Sequence, residues 1–191
     1  MTAIAVSREL PAFPFNTLLD APLNRAVIRT QPSDFRVREL LGFVPSGEGE
    51  HVYLEVTKTG ANTAWVADRI ADHAGLKSMD VGYAGRKDRH GVTTQWFSCY
   101  LPKAPAIDWQ KLNIEDVELL QVTRHRSKLR RGEIDSNAFE LVLRHAPLGA
   151  EDNAALEQRL LALRHAGFPN YFGQQRRSEE HTSELQSPCN L

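Results

Sequence analysis

The amino-acid sequence predicts an α+β fold, with a largely antiparallel or mixed sheet and a few packed helices. Two observations predict it. Short strand-like stretches outnumber helical ones, and the strands do not alternate regularly with helices as they do in parallel α/β folds. With 191 residues, of which 41% are hydrophobic and 25% charged, the chain is long enough for one globular domain with a sizeable core.

Strand-like stretches are spread over most of the chain. Residues 1–24 are Pro-rich and aperiodic, which predicts an extended lead-in segment. The stretch 51–57 alternates like a strand with one solvent-exposed face. The stretch 92–100 is rich in the Thr and aromatic residues that a pleated, half-buried surface prefers. Strands are therefore predicted at 26–30, 35–39, 51–57, 79–84, 92–100, 114–122 and 139–143.

Two helices are predicted from apolar periodicity and end signals. The first runs to about residue 73, because Asn62 or Thr63 can cap its start and Gly75 can end it. The second covers about 152–165 and ends at Gly167. The residues that share an apolar face are Val66, Ile70 and Ala74 in the first helix and Leu156, Leu160 and Leu163 in the second.

Composition narrows the class of protein. No apolar run reaches the length of a membrane span, and the N-terminus lacks the pattern of a signal peptide. Cys99 and Cys189 lie far apart and predict no disulfide framework, which favours a reducing, cytoplasmic compartment. The seven His residues lack metal-site spacing, so we expect no metal. A net charge of −1 argues neither for nor against a nucleic-acid partner.

The last segment, 177–191, is predicted to be a non-native tail. Its beginning, RSEEHTSELQS, can be encoded by the DNA of a common sequencing-library adapter, and PCNL is consistent with continued read-through. The alternative is a natural polar, disordered tail. Because of the adapter match, we leave this segment out of the fold prediction.

One candidate catalytic residue is the acid in the stretch 81–97, VGYAGRKDRHGVTTQWF. Asp88 lies there between two predicted strands, with Arg86, Lys87 and Arg89 around it. Its spacing to Gly91 favours a plain type I turn. The cations favour the ionised carboxylate, which suits a nucleophile or charge stabiliser better than a general acid. Residue spacing alone leaves both interpretations open.

A basic run without any acid follows at 124–131, RHRSKLRR. If the run is extended, alternate cations line one face at intervals of about 6.5–7 Å, near the spacing of consecutive phosphates. The alternative is a solvated edge strand that its charges protect from pairing. The candidates for contacts with a polyanion backbone are Arg124, Arg126, Lys128, Arg130 and Arg131.

Three further positions have one structural and one functional interpretation each. Phe139, in Asn137-Ala-Phe139, is either a core residue or a base-stacking platform beside a hydrogen-bonding amide. Phe35 allows the same two interpretations. Arg29, flanked by apolar residues, is either a surface residue with a buried stem or a charge directed into a site.

Five stretches occur together in one order along the chain. They are PSDFRVRE at 32–39, GEGEH at 47–51 with KTGANT at 58–63, YAGRKD at 83–88 followed by TQW, the basic run leading into NAF at 137–139, and GFPNYFG at 167–173. In these stretches the sequence resembles the TruD family of tRNA pseudouridine synthases. A lone Gly-x-Lys-Asp would be weak evidence, but five ordered matches across 29–176 are specific.

The resemblance implies an isomerase that converts uridine to pseudouridine, with uridine 13 of certain tRNAs as the family's target. It implies that uracil is detached from ribose, turned and rejoined through C5, without a cofactor or metal. Asp88 is then the nucleophile, whether it attacks C1′ or assists an elimination. The residues that the resemblance places at the substrate are Arg29, Phe35, Lys87, Asn137 and Phe139, with Phe139 packing on the base.

The sequence departs from the family pattern at two places. Ser136 stands where the family has Gly before its Asn-x-Phe motif, and after Arg176 the family's Phe-Gly continuation is missing. The resemblance thus implies a partial catalytic domain at 25–166 and the start of an inserted second domain at 167–176. We expect the chain as given to be inactive and the intact enzyme to be a monomer. A non-catalytic RNA-binding module is the alternative function, and a glycoside hydrolase, which needs two opposed carboxylates, ranks last.

Overall fold

The computed structural model describes residues 26–103, 107–145 and 149–167, and the chain divides into two compact units. One unit, Ala26–Ala146, holds a sheet and one helix. The other unit combines Met1–Arg25 with Pro147–Leu191, and its described part is the helix α2, Ala150–Ala166. Within the described residues, neither α-helix has the length and apolar character needed to cross a membrane. The predicted lead-in at 1–24 and tail at 177–191 lie outside the described residues.

The sheet has six strands and mixed pairing, which confirms the predicted α+β class. Its strands are β1 Phe35–Leu40, β2 His51–Thr59, β3 Val81–Tyr83, β4 Val92–Tyr100, β5 Val117–His125 and β6 Ser136–Leu141. The strand order is β5-β2-β4-β1-β6, and β3 pairs with β4 beside this path. The pair β1–β4 is parallel, and every other described pair is antiparallel.

The helix α1, Thr63–Ala74, has the predicted start and end. Asn62 caps it by accepting a 2.9 Å hydrogen bond from the Ala64 amide, and Gly75 ends it in the left-handed region at φ 65°. Its Val66 and Ile70 are fully buried. The second predicted helix is also present, as α2.

Five strand predictions differ from the structure. Two are displaced along the chain, since the strand predicted at 114–122 corresponds to β5, Val117–His125, and the one predicted at 139–143 to β6, Ser136–Leu141. The predicted strand 26–30 is reduced to an isolated bridge at Val27, because Arg29 adopts a left-handed backbone conformation at φ 57° that interrupts an extended chain. The strand predicted at 79–84 is shortened to β3, because Ser78–Asp80 forms a 3-10 turn. The strand β2 has no continuous solvent-exposed face, because it is central and its residues from Val52 to Val56 are buried.

Strand register divides the sheet into two faces. Lys58 of β2 is paired with Thr93 of β4, Thr93 with Val37 of β1, and Val37 with Phe139 of β6, so these residues lie in one row across the sheet. We call the face that carries this row the site face. The apolar residues of α1 join one buried cluster with side chains from the same face, among them Leu54, Val56 and Phe97. On the opposite face, a smaller cluster contains Tyr53, Trp96 and Leu129.

Candidate active site

Asp88 lies in the loop at 84–91 that connects β3 with β4. Its side chain is half exposed, and its Oδ2 lies 3.6 Å from Nη2 of Arg29. The hydrogen bond of the expected type I turn is absent from this loop, because the Gly91 amide donates to the Arg89 carbonyl instead, at 3.0 Å. A Cβ at Gly91 would lie 2.7 Å from the Phe35 carbonyl oxygen, so close packing against β1 explains this glycine.

Three buried polar side chains hold the main chain of this loop. Nζ of Lys58 donates to the Asp88 carbonyl at 3.0 Å, and Nε2 of Gln95 donates to the Gly85 carbonyl at 3.3 Å. Oγ1 of Thr63 accepts from the Lys87 amide at 3.0 Å and donates to Oε1 of Gln95 at 2.8 Å. We call Lys58, Thr63 and Gln95 the loop clamp. All three are at most 1% exposed.

The sequence predicted no site role for the loop clamp, and Thr63 was considered only as a possible helix cap. Its members do lie in two of the stretches that carry the family resemblance, KTGANT and TQW. That placement was the available signal, but neither stretch shows by itself that its polar side chains point inward to a loop. A Lys in a strand is usually a surface residue, because burying an ammonium is costly.

The ammonium of Lys58 is in an unusual environment for a cation. Besides the Asp88 carbonyl, it donates to the Ala61 carbonyl at 2.8 Å, and the Lys87 carbonyl lies 3.5 Å away. Burial lowers the pKa of Lys58 to about 8; the charge of Asp88 opposes this shift, and the charge of Lys87 adds to it. Charge–dipole contacts with main-chain oxygens therefore hold this cation.

Lys87 is not directed into an open site. Its Nζ donates to Oε2 of Glu39 at 2.5 Å, and the two side chains are 7% and 0% exposed. The other carboxylate oxygen of Glu39 accepts from the Trp96 amide at 3.1 Å. The predicted substrate contact at Lys87 therefore corresponds, in this structure, to a buried ion pair that ties the Asp88 loop to β1.

The predicted aromatic residues lie side by side with different exposure. Phe35 is buried at 5% exposure, whereas Phe139 is 60% exposed, and their ring centroids are 6.2 Å apart. The guanidinium carbon of Arg29 lies 3.9 Å from the centre of the Phe35 ring, which is a cation–π contact. Arg29 thus bridges the Phe35 ring and the Asp88 carboxylate, and Phe139 presents an aromatic surface to solvent.

Asn137 is paired with Glu39 across β6 and β1, so it shares the site face. Its Oδ1 is buried and has no hydrogen-bond partner among the described residues. A buried amide oxygen without a partner costs free energy. The structure thus brings five of the predicted site residues onto one side of the sheet, around the Asp88 loop: Arg29, Phe35, Asp88, Asn137 and Phe139.

The basic run follows a different path from the predicted ladder. The strand β5 ends at His125, and the chain then bends because Leu129 is buried with Tyr53 and Trp96 on the opposite face. Side chains of the run donate to the protein itself: Arg124 to the Gly49 carbonyl at 2.7 Å, Arg126 to Glu48, and Lys128 to the Met79 carbonyl at 2.6 Å. Arg130 and Arg131 are exposed. A single straight row of cations is therefore not formed.

Comparison with known proteins identifies the family of this chain. Residues 18–182 match the family model described as tRNA pseudouridine synthase D (TruD). The chain belongs to the TruD family. It is 53% identical to the tRNA pseudouridine synthase D of Cellvibrio japonicus over 79% of this chain and 45% of that protein. With the tRNA pseudouridine synthase D of Methylococcus capsulatus it is 54% identical, over 80% of this chain and 42% of that protein.

A solved structure supports the same assignment. The crystal structure of the putative tRNA pseudouridine synthase D (TruD) from Methanosarcina mazei matches with a TM-score of 0.75 at 25% identity. The match covers 85% of this chain and 37% of that one. The chain thus spans less than half the length of these TruD relatives. The family match runs past residue 176. The predicted division of the chain therefore stays a prediction, with a partial domain at 25–166, the start of an inserted domain at 167–176 and a non-native tail at 177–191.

Proposed function

We propose that this chain carries the nucleophile of a tRNA pseudouridine synthase, with uridine 13 of tRNA as the target and Asp88 as the catalytic residue. The observation that carries the proposal is the combination at Asp88: a half-exposed carboxylate on a loop whose main chain is held by buried side chains. A nucleophile needs access to its substrate and a fixed direction of attack. The Asp88 loop offers both.

The proposed reaction breaks the bond between C1′ of the ribose and N1 of uracil, whose electron pair leaves with the base. Asp88 either bonds to C1′ or assists an elimination at the sugar. The base then turns and bonds to C1′ through C5, and the proton lost from C5 is balanced by one gained at N1. Substrate and product are isomers, so no oxidant or reductant is required. The charge of Asp88 favours this step because the sugar carbon becomes electron-poor.

Arg29 and Phe139 fit two further requirements of this reaction. Arg29 lies 3.6 Å from the Asp88 carboxylate, beyond hydrogen-bond length, and attracts it by charge alone. Extruding a base costs a few kcal/mol, and stacking on an aromatic ring returns about 1–3 kcal/mol. The exposed ring of Phe139, supported by the buried ring of Phe35, provides such a surface. We propose that Asn137 binds the polar edge of the extruded base beside it.

Lys87 and the basic run have different roles in this proposal. Because Lys87 is paired with Glu39 and nearly buried, we propose that it supports the substrate site by fixing the Asp88 loop. We propose that the basic run contacts the RNA backbone, which is recognised by charge without regard to base sequence. The exposed Arg130 and Arg131 are the best placed of the run for such contacts.

The experiment uses the full-length protein and tRNA transcripts, with pseudouridine measured by mass spectrometry and tRNA binding measured separately. Asp88→Asn is expected to abolish pseudouridine formation and to leave binding within about threefold of the wild type, because the change removes one charge and keeps the shape. Asp72→Asn is the matched control, since Asp72 is an exposed carboxylate that pairs with Arg69 on α1. It should modify tRNA at the wild-type rate.

Two outcomes would contradict the proposal. Equal modification by the wild type and Asp88→Asn would remove Asp88 from the mechanism. A wild-type protein that binds tRNA and forms no pseudouridine would favour the non-catalytic RNA-binding module.

A further inference from the structure

We propose that Lys58 is a positioning residue for the nucleophile and acts through the main-chain carbonyl of Asp88. The inference rests on the proposed function of Asp88. It concerns a side chain that does not reach the substrate, so its role is to fix the direction in which the Asp88 carboxylate points.

The contacts of Lys58 connect three parts of the unit Ala26–Ala146. Lys58 lies near the end of β2, and its Nζ donates to the carbonyl of Ala61, just before α1, at 2.8 Å. The same Nζ donates to the Asp88 carbonyl at 3.0 Å. One ammonium group thus joins the end of a central strand, the start of a helix and the residue proposed to carry out the chemistry.

Few other contacts orient Asp88. The described partner of its carboxylate is Arg29, at 3.6 Å, which is longer than a hydrogen bond. The position of the carboxylate therefore depends on the main chain at 88, which sets the direction of the Cα–Cβ bond from which its two side-chain torsions start. Lys58 holds the carbonyl of that residue, and Oγ1 of Thr63 accepts from the amide of Lys87, the residue before it, at 3.0 Å. These two contacts act on both sides of the Asp88 Cα.

Packing gives no reason for a cation at position 58. The side chain is fully buried, and its described hydrogen-bond acceptors are main-chain carbonyls without formal charge. An apolar side chain of similar length would avoid the cost of desolvating an ammonium, but it would leave the Ala61 and Asp88 carbonyls without this donor. The hydrogen bond to the Asp88 carbonyl is what an apolar side chain cannot supply. This contrast separates a positioning role from a purely structural one.

The test compares Lys58→Met with the wild type in the full-length protein, by single-turnover kinetics on tRNA and by thermal unfolding. We expect the rate of the chemical step to fall about 10- to 100-fold, because a displacement near 1 Å at a reacting group has effects of this size. The Kd for tRNA should change less than about threefold, and the Tm should change little, because relief of the ammonium's desolvation cost opposes the loss of its two hydrogen bonds. Lys77→Met, at an exposed lysine, is the matched control and should behave as the wild type.

A second variant keeps the test decisive if the methionine side chain disturbs packing. Lys58→Ala leaves a space for propylamine, which replaces the missing atoms from Cγ to Nζ. Added propylamine should restore part of the rate in Lys58→Ala and none in Lys58→Met. The inference is overturned if Lys58→Met reacts at the wild-type rate. It is also overturned if Lys58→Met has a lowered Tm and propylamine does not restore the rate of Lys58→Ala. If the wild type itself forms no pseudouridine, the proposed function fails instead.

Discussion

The site face of the sheet has two neighbouring regions that are buried to the same extent and are chemically different. Under α1, the buried side chains are apolar and include Leu54, Val56 and Ile70. Under the Asp88 loop, they are polar or charged: the loop clamp together with the Glu39–Lys87 pair. The apolar region gains free energy from burial itself, whereas the polar region depends on every group finding its partner.

Burying polar groups under the Asp88 loop costs free energy, but their hydrogen bonds fix the position of the loop. Apolar packing is non-directional, so it can hold a helix on a sheet but cannot fix one carbonyl or amide. Hydrogen bonds are directional and hold the Asp88 loop from several sides. We therefore expect changes in the apolar region to alter stability alone and changes in the polar region to alter catalysis, with a loss of stability where a buried charge loses its partner.

The largest effect on stability is expected from Glu39→Ala. The change leaves the ammonium of Lys87 buried without its partner and removes an acceptor from the Trp96 amide. Breaking a buried pair in this way costs about 3–5 kcal/mol. Urea unfolding of the full-length protein measures the loss, and Glu118→Ala, at an exposed position of β5, is the control. A loss below about 1 kcal/mol would mean that water reaches this pair.

Ile70→Ala tests the apolar region. Ile70 is fully buried under α1, and truncation of such a side chain costs about 2–5 kcal/mol, depending on how far the cavity collapses. The rate of the chemical step per folded molecule should stay near that of the wild type, because no contact of the loop clamp is lost. A 10-fold loss of that rate at unchanged folded fraction would contradict the separation of the two regions.

The smallest effect is a dependence of stability on pH. Burial lowers the pKa of Lys58 to about 8, against 10.5 in the unfolded chain, so between these values the folded state binds fewer protons. Stability of the wild type relative to Lys58→Met should therefore rise with pH in this window, by no more than about 3 kcal/mol. Burial raises the pKa values of Tyr53 and Cys99 to about 12. Both residues are present in both proteins, so their contributions to the pH dependence of stability cancel when the two proteins are compared. A difference in stability between the two proteins that does not change with pH would show that Lys58 is hydrated.

Local signals predicted the elements that depend on neighbouring residues. The helix α1 has the predicted cap at Asn62 and stop at Gly75, because both act within one turn of the chain. The strand predicted at 35–39 was also close to β1, since alternation is visible within six residues. The strand at 26–30 was wrong, because nothing in its apolar composition indicates the left-handed conformation of Arg29.

Composition and local motifs were sufficient to predict the α+β class, the family and the position of Asp88 between two strands. The parallel pairing of β1 with β4, the Lys87–Glu39 pair and the contact of Lys58 with the Asp88 carbonyl depend on long-range packing. The path of the basic run likewise depends on the burial of Leu129. These features could not be predicted because the partners are distant along the chain: Glu39 and Lys87 are 48 residues apart, and no local pattern indicates a partner at that distance.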